Sequence, residues 1–369
     1  MIIKKITVYH LNMTMKTPFV TSFGSVQEKP FLLIEAMDEE GNTGWGESTA
    51  FHAPWYNEET FQTNLHIIKD FLVHLILDKE ISHPDEVSAI FSPIRKNNMA
   101  KAAIEGAIWD LFAKRNCLTL AEALGGNVNK IEVGVSIGLQ KSTEELVNVV
   151  QNYVKEGYKR IKVKIKPGND ISLISSLREA FPELPLMADA NSAYTLEDIE
   201  IFKQLDQYNL LMIEQPLDYD DIVDHAKLQQ QIKTPICLDE SILSLADAKK
   251  AIELGSTKVI NIKIGRVGGL TVAKQIHDYC LEKNVPVWCG GMLEAGIGRA
   301  HNIALTTLPN FTLPGDTSSS SRYWHEDIIT PEVVAKDGYI TVPTGYGIGF
   351  EPNLETIKKF TKNYWEFEA

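Results

Sequence analysis

Four cysteines are spread through 369 residues, and none falls in a CxxC pair. Cys117, Cys237, Cys280 and Cys289 therefore suggest neither a disulfide framework nor a thiolate zinc site, and a reducing, cytoplasmic setting is expected. No apolar run approaches the roughly 20 residues needed to span a bilayer, so no membrane partner is expected. The opening stretch MIIKKITVYHLNM lacks a long apolar core and a small-residue cleavage site, and reads as a first strand, not a signal peptide. Positive charge is also scarce. Lys and Arg number 36 against 49 Asp and Glu, a net charge of −13, which argues against a nucleic-acid partner. A Gly-rich dinucleotide fingerprint and a low-complexity linker are both missing. What remains is an ordinary globular composition, long enough for about two domains.

The first 50 residues read as an antiparallel meander. Strand-like runs cover 2–8 and 31–37, and a turn signal at 39–41 precedes a third run at 43–46. Helical periodicity covers 58–80 and 99–115. In the second stretch Ala103, Ala107, Ile108 and Leu111 share one face, and their small members imply close packing. After Gly125-Gly126 the texture changes. Eight short apolar runs, at 131–137, 160–165, 185–188, 210–213, 235–238, 259–262, 285–288 and 310–313, alternate with amphipathic stretches such as 197–205 and 245–254. Strand alternating with helix predicts βαβ units and a parallel sheet. Eight runs in under 200 residues favour a closed barrel over an open doubly wound sheet. Residues beyond about 320 leave this repeat and are expected to return to the first domain or cap the barrel.

Polar residues end five successive runs at a nearly fixed interval. Lys164, Asp189, Glu214, Asp239 and Lys263 are separated by 25, 25, 25 and 24 residues. One βα unit has about that length, so these side chains should project from consecutive strand ends into one barrel mouth. A strand-end charge is often only a helix cap. Five in register, with charges ordered + − − − +, are poorly explained that way. Asp189, Glu214 and Asp239 are hard oxygen donors, suited to Mg²⁺ or Mn²⁺ over Zn²⁺. The lysines flank them in strand order and should face each other. A lysine beside a metal and another cation loses preference for its ammonium form, so its pKa is expected to fall and it becomes a usable base. Bases on two faces with a metal between suit proton abstraction α to a carboxylate, the metal stabilising the enediolate.

At this point the chain resembles the enolase superfamily, muconate cycloisomerase subgroup. The resemblance is carried by KVKIKPG at 162–168, MADANSAY at 187–194, IEQPL at 213–217, LDES at 238–241 and NIKIGRVGG at 261–269. Within it, GEST at 46–49, the 52–56 loop, GGMLEAGIGRA at 290–300 and PGDTSSSSRYW at 314–324 resemble the o-succinylbenzoate synthase / N-succinylamino acid racemase family. The resemblance implies an α/β fold: a (β/α)7β TIM-like barrel at 126–320 and an α+β cap at 1–125, completed by 321–369. It implies catalytic Lys164 and Lys263, a Mg²⁺ site at Asp189, Glu214 and Asp239, a small-molecule carboxylate substrate, and a cytoplasmic homo-oligomer. Loops carrying Phe23, His52 and Tyr56 would close over the substrate, with Ser136, Lys162, Asn191, Gly291, Met292 and Asp316 near it.

The supporting residues carry plainer readings too. Glu240 is either a group behind the metal or a helix N-terminal carboxylate. Lys162 shares a strand face with Lys164 and either contacts the substrate carboxylate or has its stem packed and its head exposed. Asp316 suits an Asx-turn better than catalysis. Arg266 is either a tuner of Lys263, as in racemase-capable relatives, or a salt-bridging surface residue. The histidines show no metal-ligand spacing. Three functions stay open: dehydration to o-succinylbenzoate in menaquinone synthesis, racemisation of an N-acylated amino acid, and a non-catalytic binding barrel. Ser318, two residues after Asp316, counts against a dipeptide epimerase, which would carry Asp-x-Asp there.

Overall fold

The computed structural model describes residues 1–20 and 24–369. β1 (Ile3–Val20) and β2 (Ser25–Asp38) are antiparallel, and β3 (Thr43–Ser48) continues the sheet after the turn at Gly41. β1 runs well past the expected 2–8. Alternate residues Ile6, Val8, Leu32 and Ile34 bury one face against Ala100, Ala103, Ala107 and Leu111 of the helix Asn98–Arg115. That helix meets β3 at two glycines. A methyl on Gly46 would lie 2.0 Å from the Ala103 carbonyl oxygen, and one on Gly44 2.1 Å from that of Ala107. Backbone meets backbone there, so nothing flexible can give way. Gly46→Ala is expected to destabilise the chain by about 1–3 kcal/mol or more, read as a lower urea midpoint. An unchanged midpoint would contradict this packing.

The 58–80 stretch is not one helix. It divides into Phe61–Ile67, a π-helical turn Ile68–Leu72 and Val73–Ile76. The wide turn keeps Ile68, Leu72, Val73 and Ile76 all against the cap core.

A short β4 (Lys130–Glu132) leads into the barrel strands β5 (Val135–Ile137), β6 (Ile161–Lys164), β7 (Leu186–Asp189), β8 (Ile213–Glu214), β9 (Ile236–Leu238), β10 (Val259–Ile262) and β11 (Val287–Cys289). All seven are parallel and pair in chain order. The eighth run, 310–313, forms no regular strand. Residues 310–316 still close the circle. Asn310 accepts from the Val287 N–H, the Asp316 N–H donates to Cys289, and Gly315 accepts from the Gly134 N–H at 2.7 Å. Pro314 has no N–H to give a ladder, which explains the irregular seam. β12 (Ile329–Thr330) pairs with β14 (Glu351–Pro352), and β13 (Tyr339–Thr341) pairs with β4. β15 (Thr361–Glu368) then runs antiparallel to β1, so the two ends of the chain share one sheet.

Candidate active site

Period-two alternation sorts the barrel interior into layers. Met187, Met212, Cys237, Val259 and Trp288 form an apolar plug. Two residues further along the same strands stand Asp189, Glu214 and Asp239, with Asn261 and Lys263 two and four residues beyond Val259. Strand register sets Lys164, Asp189 and Glu214 side by side: Lys164 is paired with Asp189, and Asp189 with Glu214.

These buried charges form a dense network. Lys164 Nζ lies 2.7 Å from Asp189 Oδ2 and also donates to Asn191 Oδ1. Lys162 Nζ lies 2.9 Å from both Glu214 Oε2 and Asp316 Oδ2, and 3.4 Å from Asp189 Oδ2. Lys263 Nζ lies 2.7 Å from Asp239 Oδ2 and donates to Tyr56 OH at 3.1 Å. Arg266 also pairs with Asp239 and donates to Tyr56 OH. Asn261 donates to Glu214 Oε1 at 2.7 Å. A methyl on Gly290 would lie 2.7 Å from Lys263 Cε, so a glycine is what leaves room for that lysine.

Electrostatics follow from burial against pairing. Burial disfavours the Lys162 ammonium, but Asp316, Glu214 and Asp189 outweigh it and raise its pKa above the ordinary lysine value. Burial likewise disfavours charged Lys263, yet Tyr56, Glu214 and Glu240 raise it. Burial, and next the charge of Asp189, raise the pKa of Glu214. Burial resists ionisation of Asp189, but Lys164 and Lys162 prevail and hold it well below the usual carboxylate range.

A cavity opens above the network. Lys162, Lys164, Asp189, Asn191 and Lys263 line its floor side, while Phe19, Val26, Phe51, Trp55 and Tyr56 of the cap give it an apolar wall. Ser136, Gly291, Met292 and Asp316 also line it. A cavity that is apolar on one side, with a few convergent charges, suits a small molecule.

Two matches place the chain. Residues 3–125 match the mandelate racemase / muconate lactonizing enzyme N-terminal domain, and residues 145–357 match the enolase C-terminal domain-like family. The chain belongs to the enolase superfamily. It is 59% identical to an o-succinylbenzoate synthase of Geobacillus stearothermophilus over 98% of this chain and 96% of the relative. It is 46% identical to an N-succinylamino acid racemase of Thermus thermophilus over 95% of each. A solved enolase-superfamily structure from Listeria innocua, 48% identical, superposes with a TM-score of 0.97 and covers 100% of this chain and 99% of the other.

In this enolase-superfamily enzyme, Asp189, Glu214 and Asp239 are at most 1% exposed. Among the described residues, no three Asp, Glu, His or Cys side chains are arranged to clasp a metal ion as they stand. Lysine and arginine hold their oxygens instead. The donor chemistry nonetheless fits a hard dication. Every donor is an oxygen, and the Glu240 Oε2 and Asn261 Oδ1 atoms are buried without partners. Asp189, Glu214 and Asp239 are the residues that would hold it.

Other expected residues are placed as follows. Tyr56 reaches the cavity floor, donating to Asp239 Oδ1 at 2.9 Å. Glu240 accepts from Asn191 Nδ2 at 3.1 Å. Asp316 is no simple turn former: it bridges Lys162 and Arg160, because the closing segment brings it over the first strands. Lys162 has no exposed head; its ammonium is buried between carboxylates. Arg266 is fully buried, and it meets Lys263 only through Asp239 and Tyr56. His52 is exposed, packs edge-on against Trp55 and lines a cleft with His10 and Lys362 away from the cavity. Phe23 lies outside the described residues. His225, His277 and His301 are buried hydrogen-bonding groups of the framework.

Arg160 and Asn261 escaped the sequence reading. Asn261 had a signal, since it precedes Lys263 by two on one strand face. Arg160 had the same relation to Lys162.

Proposed function

We propose that this enzyme is an o-succinylbenzoate synthase, acting in menaquinone biosynthesis on 2-succinyl-6-hydroxy-2,4-cyclohexadiene-1-carboxylate. The observation that carries the reading is the pair Lys164 and Lys263, delivered by β6 and the end of β10 to one cavity over three buried carboxylates. The synthase relatives support it. Lys164 takes the proton α to the substrate carboxylate. The electron pair left behind forms the new ring double bond as the C–O bond breaks. Lys164 returns its proton to the departing hydroxyl on the same face, and water leaves. Lys263 faces the negative charge that gathers during the step, and Lys162 adds positive charge on the β6 side. When bound by Asp189, Glu214 and Asp239, Mg²⁺, or Mn²⁺ in its place, supplies positive charge beside the substrate carboxylate. The apolar cap wall excludes water. Four cysteines without disulfide partners support a reducing, cytoplasmic setting.

The test is direct. The purified enzyme with Mg²⁺ is expected to convert the diene to o-succinylbenzoate, read by the absorbance of the aromatic product. No conversion would overturn the reading.

The two opposed lysines favour a second activity, racemisation of N-succinylamino acids. One lysine would take the Cα proton and the other would supply one on the opposite face. Arg266 shares Asp239 with Lys263, so its loss would shift that carboxylate and disturb the second lysine. Arg266→Gln is expected to lower deuterium exchange through Lys263 several-fold more than dehydration. Equal loss of both, or no exchange by the parent enzyme, would remove the racemase reading.

A further inference from the structure

Among the described residues, seven Lys and Arg side chains are buried: Lys29, Arg160, Lys162, Lys164, Lys263, Arg266 and Arg299. Five have a carboxylate at ion-pair distance. Among the described residues, Lys29 and Arg299 have none. Lys29 has another remedy. Burial pushes it down to about 8 despite Glu47 and Glu294, so it can shed its proton, and it donates to the Thr49 carbonyl over the Phe51 ring. Arg299 has no such remedy, since a guanidinium stays charged in proteins.

Arg299 is 2% exposed and lines the reaction cavity. Its Nη1 donates to the Ser318 carbonyl at 2.5 Å and its Nη2 to the Glu294 carbonyl at 2.9 Å. Both partners are neutral backbone groups. Its Nε has no partner, and its guanidinium lies 5.2 Å from the Tyr323 ring centroid. The Glu294 carboxylate, also on the cavity wall, is turned to the Met292 N–H. A permanent buried charge without a counter-ion is costly, and a ligand carboxylate would offset that cost.

We propose that Arg299 recognises the second carboxylate of a dicarboxylate substrate, the one at the end of its flexible chain, and so determines specificity for succinyl over uncharged acyl groups. This rests on the synthase reading above. Lys162, Lys164 and Lys263 sit at the reacting end, and Arg299 supplies the positive charge for the other end.

Binding of two ligands to the Mg²⁺-loaded enzyme tests it by calorimetry. The first is o-succinylbenzoate. The second is 2-butanoylbenzoate, of equal chain length without the terminal carboxylate. The parent is expected to prefer the first by about tenfold or more, the range of a charge-assisted hydrogen bond. Arg299→Gln should bring the ratio to near one by weakening only the dicarboxylate, and Arg299→Lys should restore part of it. Because both ligands meet the same protein, the ratio is insensitive to partial misfolding, and Arg299→Lys covers a glutamine variant that fails to fold. A parent without preference, or an unchanged ratio in Arg299→Gln, overturns the role of Arg299 even if dehydration is normal. A parent that neither dehydrates the diene nor binds either ligand overturns the synthase reading, and this proposal with it.

Discussion

Lys164→Ala is expected to lower dehydration by about 10²–10⁴-fold, the usual contribution of a positioned proton-transfer group. Syn elimination asks Lys164 both to take the α-proton and to return one to the leaving hydroxyl, so the loss should sit at the upper end and appear in kcat. The fold should survive. Asp189 would still have Lys162 Nζ at 3.4 Å and the Asn191 N–H at 3.1 Å, so it would not become an isolated buried charge. Lys263→Ala should also abolish most turnover, through lost stabilisation of negative charge. The two variants should differ in isotope exchange: each should lose the exchange of the face it served. Circular dichroism checks the fold, and aromatic absorbance checks turnover. Near-normal dehydration by Lys164→Ala would refute the assignment.

Exhaustive chelation is expected to remove turnover, and added Mg²⁺ to restore it. Asp189→Asn, Glu214→Gln and Asp239→Asn should each weaken Mg²⁺ binding, measured by calorimetry, along with kcat, by an expected hundredfold or more, since a metal's charge at the reacting carboxylate contributes several kcal/mol. Their side effects should differ. Glu214 holds Lys162 and Asn261 within the barrel, whereas Asp239 holds Tyr56 of the cap loop as well as Lys263 and Arg266. Asp239→Asn should therefore also loosen the 52–56 loop, read as faster proteolysis there, and Glu214→Gln should not. Full activity in a metal-free sample would refute the metal role.

Much of this site was legible in the chain because its organising rules are local. A βα unit has a nearly constant length, so Lys164, Asp189, Glu214, Asp239 and Lys263 reveal themselves by spacing alone. Strand alternation then fixes which neighbours share their face, which is why Lys162 was found and Asn261 could have been. The small residues of the 99–115 stretch announced a close approach, and Gly44 and Gly46 complete it across the cap. The resemblance to a known family added the chemistry that spacing does not specify.

Other features depend on contacts between segments far apart in the chain, and no local pattern encodes those. Asp316 looked like a turn former until barrel closure set it between Arg160 and Lys162, 156 residues from the first. His52 and Tyr56 sit in one loop, yet only the docked cap decides that the tyrosine reaches Asp239 while the histidine faces outward. The eighth run had a strand's composition, but closure used the carbonyls of Asn310 and, beyond the run, Gly315 without a regular ladder. The partnerless charge of Arg299 exists only because folding buried it beside backbone carbonyls. The sequence by itself determined the repeat and the set of charges at the strand ends, because those follow from short-range periodicity. Tertiary structure alone decided which charges neutralise one another and which one is left for a ligand, because ion pairing falls off over a few ångströms and depends on the final three-dimensional approach.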